Sequence, residues 1–227
     1  MALQLVIGNK NYSSWSMRPW VLMRQLGLHF EEVKLHMDFS EHSHFRRELA
    51  RFSPAGRVPV LVDDGFSVWD SLAILEYLHD KFPGRGIWPD DIQMRARARC
   101  MAAEMHAGFS ALRSHCPMNI EAHLPEVGTR VWAEQAAVRA DVTRIELMWA
   151  ESLLASGGPF LFGEFSAIDA MYAPVCSRLR TYGLPVPASS QRYIEHMFAA
   201  PGVAAWVADA LLEEDYLDFD EPYRKHR

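Results

Sequence analysis

The chain of 227 residues contains three cysteines, Cys100, Cys116 and Cys176, and no two of them form a C-x-x-C pair. Zinc ligation and a disulfide framework are both disfavoured by so sparse and odd a set, which fits a reducing compartment. His36, His42 and His44 crowd one stretch but lack cysteine or carboxylate partners at metal-ligand spacing, so no metal is expected. Nowhere does an apolar run approach the roughly 20 residues needed to span a bilayer. The opening "MALQLVIGNKNYSS" has no basic leader, so a signal peptide is not expected and the protein reads as cytoplasmic, with no membrane partner. Lys/Arg-dense blocks are missing too, and the formal net charge is -6, which argues against nucleic acid as a partner. A local site need not share the sign of the whole, so an anionic small ligand stays open.

What the chain does hold falls into two halves with different patterns. In residues 1–82 strand and helix signals alternate. "LQLVIGN" reads as a buried strand, and a helical pattern follows over about residues 17–26, with Gly27 placed for a left-handed cap. "HFEEVKL" reads as a strand and "SHFRRELARF" as a helix. "VPVLVDD" and "FSVWD" form a hairpin pair about Asp64-Gly65, and "SLAILEYLHDKF" is an amphipathic helix. The order is βαβαββα. After "PGRGIWPDD", a linker by composition, strand signals cease. Residues 92–227 read as an all-α domain, with helices over about 92–116, 125–155, 166–182, 189–199 and 201–214 and an irregular acidic tail laid on the surface.

Three landmarks stand on this framework. "GRVPVL" puts Val58-Pro59 just before the third strand, "WDSLAILEYL" puts Asp70-Ser71 at a helix start, and "FGEFSAIDAMYAPV" puts Ser166 and Asp169 at another. Taken alone, Asp70-Ser71 is a cap at a helix N-terminus that also favours anions. Ser166-x-x-Asp169 is a capping box, a structural device. With the βαβαββα order, these features resemble the cytosolic glutathione S-transferase family over essentially the whole chain. The "SSWSMR" stretch is similar to the serine motif of the zeta class, with Trp15 where that class has cysteine.

The resemblance implies an α/β thioredoxin-like N-terminal domain followed by an all-α C-terminal domain, glutathione as co-substrate, a small-molecule electrophile as the second substrate, and a homodimer. It implies a cis Val58-Pro59 bond that turns the Val58 backbone toward the cysteinyl part of glutathione, a main-chain mode of binding. Ser71 would take the γ-glutamyl carboxylate, Asp70 the ammonium group, and Arg57 the glycyl carboxylate. In the electrophile pocket it suggests His106, Phe109 and Arg113, although Met105, Phe109, Leu112 and Cys116 also recur at core spacing.

Two hydroxyls at C-x-x-C spacing, Ser13 and Ser16, cannot exchange disulfides. A hydroxyl can still donate to a thiolate. Lowering a thiol pKa from about 8.5 by about two units needs about 2.7 kcal/mol of preference for the charged form. Pro19 lacks an N–H and belongs in a first helical turn, which assigns Ser16 to capping. The spacing to Arg18 then puts Ser13 first as thiolate partner, Ser14 second and Tyr12 third. The expected activity is transfer of glutathione to an electrophile. Glutathione-dependent isomerisation of a maleyl-type substrate, or a non-catalytic binding module, are the alternatives.

Overall fold

The computed structural model describes residues 3–227. Its first half is built from β1 (Leu3–Ile7), α1 (Ser14–Gln25), β2 (Phe30–Lys34), α2 (His44–Leu49), β3 (Val60–Asp63), β4 (Phe66–Trp69) and α3 (Ser71–Lys81). The four strands form one sheet in the order β2-β1-β3-β4. β1 is parallel to β2, and the other two pairings are antiparallel. β1 shows why both faces are covered. Leu3, Leu5 and Ile7 face the main core with α1 and α3, while Val6 meets Val60, Phe45, Leu49 and Met37 under α2. The hairpin turn at Asp64 and Gly65 has both residues at positive φ, as a two-residue hairpin requires.

The second half is α4 (Ile92–Ala107), α5 (Ser110–His115), α6 (Pro125–Glu134), α7 (Ala136–Ser156), α8 (Ala167–Thr181), α9 (Ala188–Ala199) and α10 (Pro201–Leu211). Two helices expected as single runs are therefore broken. Phe109, in the left-handed region at φ 55°, separates α4 from α5. Gln135 leaves helical angles between α6 and α7 with neither Gly nor Pro to signal it. Among the described residues no helix is long and apolar enough to cross a membrane.

α1 is buried along most of its length between the sheet, α8 and α10. Gly202 permits this closeness, because a Cβ there would lie 2.6 Å from the Val21 carbonyl oxygen. The start of α1 corrects the sequence reading. The helix begins at Ser14, with Ser13 as its flanking residue, so Ser16 lies inside its first turn and is not the cap. Pro19 falls within the helix, beyond that turn. Tertiary packing decides the matter: Ser16, Met17, Arg18, Pro19 and Trp20 are all buried, and Ser16 Oγ accepts the Gly8 N–H at 3.2 Å.

Asp169 sits fully buried at the start of α8. Its carboxylate accepts from the Ser166 N–H at 3.0 Å, the Leu161 N–H at 3.1 Å and the Tyr193 hydroxyl at 2.9 Å. Removing such an acceptor strands three buried donors. Asp169→Ala is expected to lower unfolding stability by about 2–4 kcal/mol in chemical denaturation. An unchanged unfolding midpoint would show that Asp169 does not hold this junction.

Candidate active site

The loop from Gly8 to Ser13 joins β1 to α1, and groups from the rest of the chain hold it. Lys10 is 3% exposed, paired with Glu32 at 2.8 Å and Asp209 at 2.5 Å, and lies over the Trp20 ring at 4.4 Å. The Trp206 indole donates to the Lys10 carbonyl at 3.0 Å. Glu213 accepts the N–H groups of Lys10 and Asn11 at 2.8 and 3.2 Å. Asn11 accepts the N–H of Ile120 and, through its side chain, that of Glu121. Tyr12 donates its hydroxyl to Glu221 at 2.7 Å, and burial with this carboxylate pushes the phenol's pKa up. Its proton is thereby committed, which weakens Tyr12 as a thiolate donor.

Two cavities adjoin beyond this loop. One is lined by Arg57, Val58, Pro59, Asp70 and Ser71, with Trp15, His106 and Arg113 as its far wall. The other is lined by Tyr12, Ser13, Ser14, Met37, Phe39, Met118 and Arg178, and shares Trp15, Arg57, Val58 and Arg113 with the first. Trp15 is the partition. Its ring centroid lies 3.9 Å from the Arg18 guanidinium and 4.7 Å from that of Arg113, with the His106 ring in a T-shaped contact at 5.1 Å. A third cavity, lined by Leu179, Arg180, Ile194 and Phe198, contains none of these residues.

In the first cavity the Val58-Pro59 bond is cis. Asp70 is held at φ 76°, a left-handed conformation unusual for a non-glycine residue. Its Oδ1 caps α3 by accepting the Leu72 N–H at 2.9 Å, and its Oδ2 lies 3.1 Å from His106 Nε2 across the domain boundary. Ser71 is 1% exposed, and its hydroxyl has no hydrogen-bond partner. An unpartnered buried hydroxyl at a helix N-terminus is suited to an arriving carboxylate.

In the second cavity Ser13 and Ser14 are both present, but their hydroxyls are differently engaged. Ser13 donates to Ser16 Oγ at 2.8 Å, whereas Ser14 Oγ accepts from Arg178 Nη2 at 3.3 Å. The remaining expectations divide. Arg113 faces both cavities and His106 only the first. Phe109 corrects the pocket assignment: at 6% exposure it belongs to the core with Met105, Leu112 and Cys116, and it lines neither cavity.

The tail corrects another expectation. It is not merely laid on the surface: Phe219 and Asp220 line the second cavity, and Glu221 is buried beneath it. Phe219 stacks edge-on against Phe39 at 5.0 Å across the cavity mouth. Asp220 is pushed up to about 6 by burial. Arg178 and the tail were missed from sequence. The detectable signal for Arg178 is a charge within "AIDAMYAPVCSRL", a buried segment otherwise uncharged apart from the Asp169 cap.

With this geometry in place, comparison with known proteins is direct. The family model for the glutathione S-transferase N-terminal domain matches residues 12–81, and that for the C-terminal domain matches residues 133–209, together more than half of the chain. The chain belongs to the glutathione S-transferase family. Its sequence is 28% identical over 163 residues to a maleylacetoacetate isomerase of Rattus norvegicus, covering 71% of this chain and 72% of that one. A dichloromethane dehalogenase of Methylorubrum extorquens is 41% identical over 68 residues, but these span 29% of this chain and only 23% of the dehalogenase. Among solved structures, a glutathione transferase homologue from Burkholderia with bound glutathione has a TM-score of 0.69 at 24% identity, covering 92% of this chain and 98% of the other. The yeast protein Ure2p in complex with glutathione has a TM-score of 0.68 at 19% identity, covering 90% and 98%. These likenesses confirm the fold: a thioredoxin-like domain followed by a helical one.

Glu221 gives the site a pH dependence. Burial opposes its charge, but donation from Arg224, Tyr12 and Asn119 outweighs this and holds its carboxyl below the ordinary value. A depressed carboxyl contributes stability above its unfolded pKa and loses it as pH falls through the folded one. The tail is therefore expected to be protected at neutral pH and to loosen as pH drops below about 4. Hydrogen exchange of residues 213–227 against pH measures this; protection that is flat from pH 7 down to about 3 would exclude Glu221 as the clasp.

Proposed function

We propose that the protein is a glutathione transferase that ionises the thiol of glutathione and directs it at a small electrophile. One observation carries this reading: two cavities that share Trp15, Val58 and Arg113, one ending at the unpartnered Ser71 hydroxyl and the other at Ser13 and Ser14. Glutathione placed with its γ-glutamyl carboxylate at Ser71 has its ammonium group near Asp70 Oδ2. Its cysteinyl backbone then runs along Val58, and its glycyl carboxylate lies near Arg57. The sulfur falls at the serines, next to the second cavity, where the electrophile is held. With an aryl halide the thiolate electron pair forms the new C–S bond and the halide leaves with the pair of the broken bond. Holding the two reactants side by side supplies much of the rate, because the encounter is no longer bimolecular.

Two other readings follow from specific observations. Similarity to the rat maleylacetoacetate isomerase supports a cis-trans isomerisation with glutathione as the recycled nucleophile. Against it, the bulky Trp15 occupies the cysteine position of the related serine motif and stacks with Arg18 and Arg113. The fold is shared with a nitrogen regulation fragment, that of Ure2p, which keeps a non-catalytic module as the third reading. We place the protein in the cytoplasm as a homodimer, on family grounds.

Calorimetry with glutathione and turnover of an aryl halide and a maleyl substrate separate the three. Ser71→Ala is expected to raise the glutathione Kd about 10- to 100-fold, the worth of a hydrogen bond to a charged group. An unaltered Kd in this variant would remove Ser71 from the site. Glutathione binding without turnover of either substrate would favour the module.

A further inference from the structure

We propose that Arg178, with Arg113 beside it, is the counter-charge that the second domain brings to the glutathione thiolate, acting through the Ser14 hydroxyl. The inference rests on the transferase reading above. Arg178 projects from α8 and is 6% exposed. Its Nη1 donates to the carbonyls of Cys116 at 2.5 Å and Arg113 at 3.4 Å, which fixes the plane of the guanidinium. Nη2 then reaches Ser14 Oγ at 3.3 Å, and Nε is buried without a partner. Among the described residues, no carboxylate forms an ion pair with either Arg113 or Arg178. Arg178 is buried and Arg113 half-buried, and the one carboxylate facing Arg178 across the cavity is Asp220, which makes no ion-pair contact with it, so a conflict of like charge remains and Arg113 weakens Arg178's hold on its proton. An anion arriving beside Ser14 removes that conflict. In the placement above, the sulfur of glutathione is that anion.

The hydroxyl geometry selects Ser14 over Ser13. Ser13 spends its proton on Ser16 Oγ. Ser14 accepts from Arg178, which leaves its own proton to donate to sulfur. Arg178 thus orients Ser14 and polarises its O–H. The S–H bond of bound glutathione breaks with its proton passing to solvent water and its electron pair staying on sulfur, so no further reactant is required. Other ionisable groups face the same space. Arg57 lies before β3, Tyr12 has its proton held by Glu221, and Asp220 enters from the tail; the His106–Asp70 pair borders the adjoining cavity.

The test is the thiolate ultraviolet absorbance of bound glutathione against pH, paired with calorimetric affinity for S-methylglutathione, which has no thiol to ionise. Ser14→Ala and Arg113→Gln are each expected to raise the bound thiol pKa by about one unit or more. Ser13→Ala should shift it less, and all three should bind S-methylglutathione close to the parent. Arg178→Gln should give the largest rise and Arg178→Lys should restore part of it. Because Arg178 also holds two carbonyls, its variants can fail to fold; Ser14→Ala and Arg113→Gln then decide the matter. An unchanged titration in both overturns the proposal while leaving the transferase reading intact. That result, with turnover lost only for carboxylate-bearing electrophiles, would assign the arginines to the second substrate. A parent protein that binds neither glutathione nor S-methylglutathione overturns the transferase reading and this assignment together.

Discussion

The loop from Gly8 to Ser13, which leads into the candidate serines, has almost no regular structure of its own, so its backbone groups need partners from elsewhere. They come from the second half of the chain. Glu213 takes two N–H groups, Trp206 gives its indole proton to a carbonyl, and Ile120 pairs with Asn11. Lys10 anchors the arrangement by burying a charge between two carboxylates and two tryptophan faces. Breaking such a pair leaves an uncompensated buried charge, which is far more damaging than losing a surface ion pair. The position of the serines is therefore a property of both domains. The thioredoxin-like domain alone supplies the strand and helix, but not the geometry between them.

The same dependence governs the electrostatics. The chain carries a net charge of -6, whereas the second cavity gathers Arg57, Arg113 and Arg178 against Asp220. Trp15 organises this concentration of positive charge. Its ring takes both the Arg18 and the Arg113 guanidinium within cation–π distance and meets the His106 ring in a T-shaped contact. A cysteine at this position offers no such ring. Trp15, which stands where the zeta serine motif has cysteine, thus sits among side chains brought by α4 and α5, His106 and Arg113, with Arg178 of α8 in the lining of the same cavity.

Local signals made much of the fold legible. Alternation in "LQLVIGN", the Asp64-Gly65 turn and the cap residue before α3 are each determined within a few residues, and the four strands and α3 lie where those signals place them. The long-range features were not legible. Pro19 argues for a helix beginning at Ser16, but burial of α1 on α8 and α10 carries the helix back to Ser14. Gln135 breaks a helix with no local signal. Arg178 is 164 residues from the hydroxyl it meets, and Glu221 is 209 residues from Tyr12. Neither pairing has a spacing that a single sequence could reveal. The cavity at Pro59 and Ser71 was foreshadowed because helix N-termini and X-Pro steps are local devices; the partners of Ser13 and Ser14 were not, because they converge only in three dimensions.

Sulfur chemistry narrows the mechanism further. Of the protein's own thiols, Cys116 and Cys176 are buried, and burial pushes Cys116 up to about 12 and Cys176 well above its ordinary value. Neither can be a thiolate near neutral pH. Cys100 is exposed on α4 and lines neither cavity. The serines at C-x-x-C spacing cannot store oxidising equivalents. Any nucleophilic sulfur at Ser13 and Ser14 must therefore arrive with the ligand, and the protein's part is to favour its ionised form. A hydroxyl and a helix terminus supply some of that preference. The charge held by α8, passed on through the Ser14 hydroxyl, supplies a further increment that needs no protein thiol.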